Sequence, residues 1–203
     1  MTKYSSESGA ASQPPVTHPN SFASAPPVGQ AGPAPVPPAG TAHHDALTMP
    51  RSRPVRLQIP SIGVDSALIP LGLQADETME VPPNGFPAGW YTGAPTPGEL
   101  GPAIIAGHVH WDGRPGVFYS LSDIEPDDTL TVRRKDNNLA VFRVTKVQQF
   151  PKDDFPTDAV YGNIDHAGLR LITCGGFNAQ TSSYDDNTVV FATLAAAHSR
   201  PPD

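Results

Sequence analysis

From residue 51 to about residue 196, proline, glycine, asparagine or aspartate interrupts the apolar pattern every few residues. An amphipathic helix needs roughly ten or more uninterrupted residues at a 3.6-residue period, whereas a strand needs only about four to eight. The chain is therefore steered towards short strands. The β-branched, apolar runs are Val55–Ile59, Ser66–Leu71, Thr78–Val81, Ala103–Val109, Thr129–Arg134, Leu139–Gln149, Leu169–Cys174 and Thr188–Leu194. Asp136-Asn137-Asn138 reads as a hairpin turn between two of them. Only Gly116–Leu121 and Thr157–Tyr161 carry a helical signal, each for a turn or two. Eight such runs predict an all-β domain, either a closed barrel or a sandwich. There is no internal repeat and no glycine-rich phosphate loop after a strand.

The first 50 residues follow another rule. Pro14, Pro15, Pro19, Pro26, Pro27, Pro33, Pro35, Pro37, Pro38 and Pro50 are separated by Ser, Ala, Gly and Thr. The only charged side chains are Lys3, Glu7 and Asp45, and neither hydrophobic period is present. A segment of this composition buries too little apolar surface to offset its ordering entropy. Residues 1–50 are expected to be a disordered, Pro/Ala/Ser-rich linker, partly polyproline II, leaving residues 51–198 as the folded domain. No apolar run approaches the roughly 20 residues of a membrane helix. No basic start leads into an apolar stretch, so no signal peptide is evident either.

Composition narrows the function classes. The net charge of −7 argues against a nucleic-acid partner, which calls for a basic face. One cysteine excludes an internal disulfide framework and any thiolate-built zinc or iron–sulfur centre. His108, His110 and Asp112 are too loosely spaced for a zinc site, so no metal is expected. The acidic run Asp123, Glu125, Asp127 and Asp128 lacks the glycine and closing glutamate of a calcium loop and reads as a solvated turn.

Chemistry-bearing residues stand at the ends of two apolar strands. One strand runs from Pro102 to Gly107 and ends in His108-Val109-His110; the other runs from Leu169 to Thr173 and ends in Cys174-Gly175-Gly176. A thiol needs a proton acceptor to become a useful thiolate at neutral pH, and a histidine on a neighbouring strand end would supply it. Gly175 and Gly176 would let a substrate backbone approach the sulfur and offer amides to an oxyanion. Taken alone, the pair is ambiguous: a lone cysteine in a β domain is more often a small buried hydrophobe.

Several separated motifs, in order, resolve that ambiguity. Gly107-His108 resembles the histidine motif of sortases, the cysteine transpeptidases of Gram-positive cell surfaces, and Leu171-Ile172-Thr173-Cys174 resembles their Leu-x-Thr-Cys signature. Ile59-Pro60-Ser61-Ile62-Gly63-Val64, Gly89-Trp90-Tyr91, Gly116-Val117-Phe118-Tyr119-Ser120-Leu121 and Asn187 to Ala192 are similar to other segments of the family. The resemblance covers about residues 55 to 195 and is nearest the actinobacterial branch called class F, with class E next.

The resemblance implies a closed eight-stranded β-barrel with one or two short helices. It also implies a two-step acyl transfer on a protein substrate with a C-terminal sorting signal of Leu-Pro-x-Thr-Gly type. Cys174 would form a thioester, His108 would act as general acid and then base, and an amine of peptidoglycan or another envelope component would release the product. Thr173 would help position substrate, with His110, Arg114, Gly175 and Gly176 lining the site. No cofactor is required, a monomer is expected, and the setting would be the extracytoplasmic face of the membrane or the cell wall.

One position departs from the pattern. Sortases usually carry an arginine on the last strand, and the matching position here is Asn187; no arginine lies between Cys174 and Ala192. Asparagine donates hydrogen bonds but carries no charge. Asn187 would replace the arginine, or an arginine from elsewhere, such as Arg114, would enter the site. The alternatives are a sortase-fold binding or scaffolding protein with weak or no catalysis, and a hydrolase that uses the same site.

Overall fold

A computed structural model describes residues 47–178 and 183–199, so residues 1–46 of the expected 1–50 linker lie outside the described residues. Ten strands are present among the described residues. They are β1 (Pro54–Ile59), β2 (Val64–Leu71), β3 (Ala88–Tyr91), β4 (Gly101–Ala106), β5 (His110–Trp111), β6 (Arg114–Pro115), β7 (Thr129–Arg134), β8 (Leu139–Pro151), β9 (Ala167–Asn178) and β10 (Ser183–His198). The one α-helix among the described residues, α1, is Thr157–Tyr161, the span the sequence predicts.

Eight strands close a barrel in the order β1-β2-β3-β4-β9-β10-β8-β7, and β5 and β6 form a separate hairpin. The pairing is antiparallel except for β2 with β3 and β4 with β9, which run parallel. The barrel expectation therefore holds, but its membership differs. Thr78–Val81 is not a strand; Met79 makes only an isolated bridge to Leu73. Its place is taken by β3, whose Ala-Gly-Trp-Tyr is fully buried and held between β2 and β4. A four-residue segment containing glycine has little intrinsic strand preference, so pairing on both sides makes it a strand.

Alternation along the strands divides the apolar residues into two clusters. Ala103 and Ile105 of β4, Leu169 and Leu171 of β9, and Val190 and Ala192 of β10 join Leu57, Leu130 and Phe142 inside the barrel. The intervening residues, Ile104 and Ala106, Ile172, and Val189 and Phe191, face outwards. Tyr91, Met79 and Val160 cover this outer face, with Phe150, Phe155 and Tyr161 packed at its edge. Two clusters of this kind explain why β4 and β9 read as unbroken apolar runs: both faces of each strand are buried.

Candidate active site

Strand β4 positions the histidine and strand β9 the cysteine. In the parallel β4–β9 ladder Ala106 pairs with Ile172, and the Gly107 amide extends the ladder to the Ile172 carbonyl at 3.1 Å. His108 and Cys174 each lie two residues beyond that last pair, at the same end of adjacent strands. Residues 66 positions apart in sequence are thus neighbours because two strands run parallel. On the other side of β9, Asn187 of β10 stands opposite Cys174 in the antiparallel ladder. The three residues expected to carry the reaction therefore share one end of β4-β9-β10.

The environment of His108 is closely specified. Its ring is buried, and Nε2 donates to the carbonyl of Pro82 at 2.7 Å. The Trp111 ring lies 4.9 Å from the imidazole, centroid to centroid, inclined by 48°. The His108 carbonyl accepts from the Phe118 amide at 2.9 Å, and the Gly116 amide donates to Val109 at 2.7 Å. Gly116 must be glycine here, because a Cβ would collide with the His108 carbonyl. Gly107 has a comparable reason: a Cβ there would press into the Val117 and Phe118 side chains.

Sequence reasoning missed the structure above this histidine. The β5–β6 hairpin carries Trp111 at its tip, followed by Asp112 at φ 49° and Gly113 at φ 69°. Asp-Gly with two positive φ angles is a strong signal for a two-residue hairpin, and it was available in the sequence. The loop before β3 packs beneath this hairpin: Gly85 abuts Trp111, and the Gly85 carbonyl accepts from the Val117 amide at 2.9 Å. Nothing in the sequence marks the Pro82 carbonyl as a histidine partner, since backbone acceptors carry no residue signature.

Two further expected residues lie on this hairpin. His110 of β5 is exposed and meets Tyr119 edge-to-face at 5.1 Å, and Arg114 of β6 is exposed opposite Trp111. Thr173 is arranged differently. It follows Leu169 and Leu171 on the inner face, pairs with Thr188 and is buried, its hydroxyl without a hydrogen-bond partner among the described residues. The fold thus separates it from the outer face, to which Asn187 belongs with Val189 and Phe191. Gly175 and Gly176 do not begin a loop. Strand β9 continues through Asn178, with Gly175 opposite Asp186 and Phe177 opposite Tyr184.

Asn187 is fully buried, and among the described residues neither its amide nitrogen nor its carbonyl oxygen has a hydrogen-bond partner. Buried polar groups are nearly always paired, so an orphaned carboxamide opposite the cysteine marks a place where a ligand could supply the partner. Arg170 does not fill the missing arginine's place. It stands on β9 four residues before Cys174, but its guanidinium lies 4.6 Å from the Phe191 ring centroid and donates to the Leu169 carbonyl at 3.2 Å. It thus turns towards the start of the strand. Burial pushes its pKa down to about 10, so it remains a cation at neutral pH.

The closed mixed barrel sets a histidine and a cysteine two residues beyond the last β4–β9 pair, in the architecture of one class of β-barrel proteins. A family model, described as the sortase domain, matches residues 57–195, and the chain belongs to the sortase family. Solved structures agree on the fold. Sortase C of Streptococcus pneumoniae superposes with a TM-score of 0.55 at 16% identity, covering 74% of this chain and 70% of that one. Sortase A of Listeria monocytogenes gives 0.55 at 17%, covering 75% and 92%, and a Clostridium perfringens sortase D5 transpeptidase gives 0.53 at 20%, covering 71% and 79%. No curated protein sequence matched this chain. The family is one of extracytoplasmic, membrane-associated cysteine transpeptidases; among the described residues no helix is long and apolar enough to cross a membrane.

Proposed function

We propose that this chain is a class F-like sortase that cleaves a Leu-Pro-x-Thr-Gly-like sorting signal through a Cys174 thioester and transfers it to an envelope amine. The observation that carries this reading is the β4–β9 register, which sets His108 and Cys174 at one end of neighbouring parallel strands. The Cys174 sulfur attacks the threonine carbonyl, and its proton passes to His108. His108 returns that proton to the departing amine as the thioester forms. The incoming amine then attacks the thioester and gives its own proton to His108, which passes it to the departing sulfur and restores the thiol. Asn187 donates to the oxyanion from the place where an arginine is usual, and Arg114 on the adjacent hairpin supplies positive charge at the rim. The residues preceding the barrel act as a spacer at the extracytoplasmic surface.

The test is incubation of the protein with a fluorescent Leu-Pro-x-Thr-Gly peptide panel and an amine. Cleavage with amine-dependent product, abolished in Cys174→Ala, is expected. No cleavage of any member sinks the reading. Release to water whether or not amine is present makes the protein a hydrolase. Asn187 in the arginine position also fits a barrel that binds without fast transfer. In that case iodoacetamide alkylates Cys174 no faster than an ordinary thiol.

A further inference from the structure

We propose that the main-chain carbonyl of Pro82 fixes the tautomer of His108 and makes Nδ1 the nitrogen that exchanges the reaction's proton. A carbonyl oxygen only accepts hydrogen bonds. The 2.7 Å contact between Nε2 and the Pro82 carbonyl therefore requires the hydrogen to sit on Nε2. A neutral imidazole carries one N–H, so its lone pair belongs to Nδ1. The ring is buried and cannot trade this bond for one to bulk water.

The acceptor is itself held in place. Pro82 and Pro83 restrict the loop backbone, and the Gly85 carbonyl is tied to the Val117 amide at 2.9 Å. Gly85 packs so closely on Trp111 that a Cβ would stand 2.9 Å from the Trp111 Cβ. Trp111 in turn lies against the imidazole. Ring and acceptor are thus fixed through one continuous contact from the loop to the hairpin to His108. In serine–histidine–aspartate sites a carboxylate performs this orienting role. Here a neutral carbonyl performs it, and the roles of the two ring nitrogens are exchanged.

The consequence for the reaction rests on the transfer mechanism proposed above; the tautomer itself does not. When the Cys174 thiol gives its proton to Nδ1, the products are a thiolate and an imidazolium with an N–H on each nitrogen. The Nε2–H bond to Pro82 persists and becomes charge-assisted, which favours the ion pair. The same Nδ1 proton then leaves with the departing amine, and Nδ1 accepts another from the incoming amine. Pro82 is therefore a positioning residue acting through its backbone, and it touches no substrate.

The experiment is a long-range proton–nitrogen NMR spectrum of the full chain labelled with 15N-histidine, with His108 assigned by loss of its signals in His108→Gln. A pyrrole-type Nε2 and a pyridine-type Nδ1 are expected in the neutral ring. The reverse tautomer, or a rapidly averaged pair, overturns the proposal. A second arm replaces His108 with Nδ1-methylhistidine, which blocks Nδ1 and leaves the neutral ring's only lone pair on Nε2, the nitrogen that faces the Pro82 carbonyl. Alkylation of Cys174 at neutral pH should slow by about 100-fold. A rate within a few-fold of wild type overturns the role of Nδ1. An Nε2–H ring in a chain that cleaves no peptide overturns the transfer reading and leaves the tautomer standing; the reverse tautomer in a cleaving chain does the opposite.

Discussion

Asn187 carries a cost that folding alone does not explain. Two unpaired polar atoms of a fully buried carboxamide face no partner among the described residues. An apolar side chain of similar size would remove the desolvation penalty of about 1–3 kcal/mol per unsatisfied group. Asn187→Leu is therefore expected to raise the urea midpoint, by about 1–3 kcal/mol in stability. The same substitution should lower peptide transfer by about 100- to 1000-fold, the usual loss for one oxyanion donor. A variant that is more stable and equally fast would remove Asn187 from the reaction. The position was visible in the sequence because it departs from an otherwise ordered set of motifs. Its burial and its missing partners were not visible, since both depend on what β8 and β9 place around it.

Among the elements, the strap that leads into β1 holds the barrel end remote from His108. Met49 is buried in the barrel core, and its amide donates to the Gly98 carbonyl at 2.7 Å. Arg134, at the end of β7, is fully buried; it donates to the Pro50 carbonyl and pairs with Asp136 at 3.3 Å. Burial holds its pKa below the usual arginine value, and the charges of Asp136 and Glu99 partly oppose that shift. Removing one member of a buried charged network typically costs about 3–5 kcal/mol. Because Asp136 is still partly open to water, Arg134→Ala is expected to cost about 3 kcal/mol, read from denaturant unfolding. Transfer per folded molecule should not change, since the whole length of β4 separates Gly98 from His108. Loss of activity at unchanged stability would contradict this division of labour.

Element by element, local signal and outcome diverge in an instructive way. Thr129–Arg134 and Thr157–Tyr161 form where their own residues predict, with the predicted bounds. The two glycines after Cys174 predict a strand end there, yet pairing with β10 carries β9 on to Asn178. Thr78–Val81 has an alternating pattern but finds only the Leu73 bridge as a partner. A β pattern states which residues suit a strand, and a neighbouring strand decides whether one forms.

For the whole molecule, the closed order β1-β2-β3-β4-β9-β10-β8-β7 leaves no barrel strand without a neighbour on each side. Its interior is filled by contributions from across the chain, including Leu57, Leu130, Phe142 and Leu171. Phe142→Ala should therefore destabilise the entire barrel by about 3–5 kcal/mol, with an unchanged denaturant slope. A reduced slope or a second transition would show that the barrel unfolds in parts. The outer cluster over β4, β9 and β10 uses the alternate residues of the same strands, so the surface leading to His108 is built on a rigid wall.

Residue order alone limits this chain to an all-β domain and narrows the chemistry it can attempt. Short β-branched runs between proline and glycine exclude long helices, and one histidine and one cysteine at apolar strand ends limit the reaction types. Those properties are local, so they survive in a linear reading. Packing sets β4 and β9 side by side in parallel, puts Asn187 opposite Cys174, and brings a loop carbonyl and a hairpin tryptophan onto His108. Each of those facts is a pairing between distant segments. Backbone carbonyls and strand partners leave no mark on residue identity, so only the closed barrel brings them together.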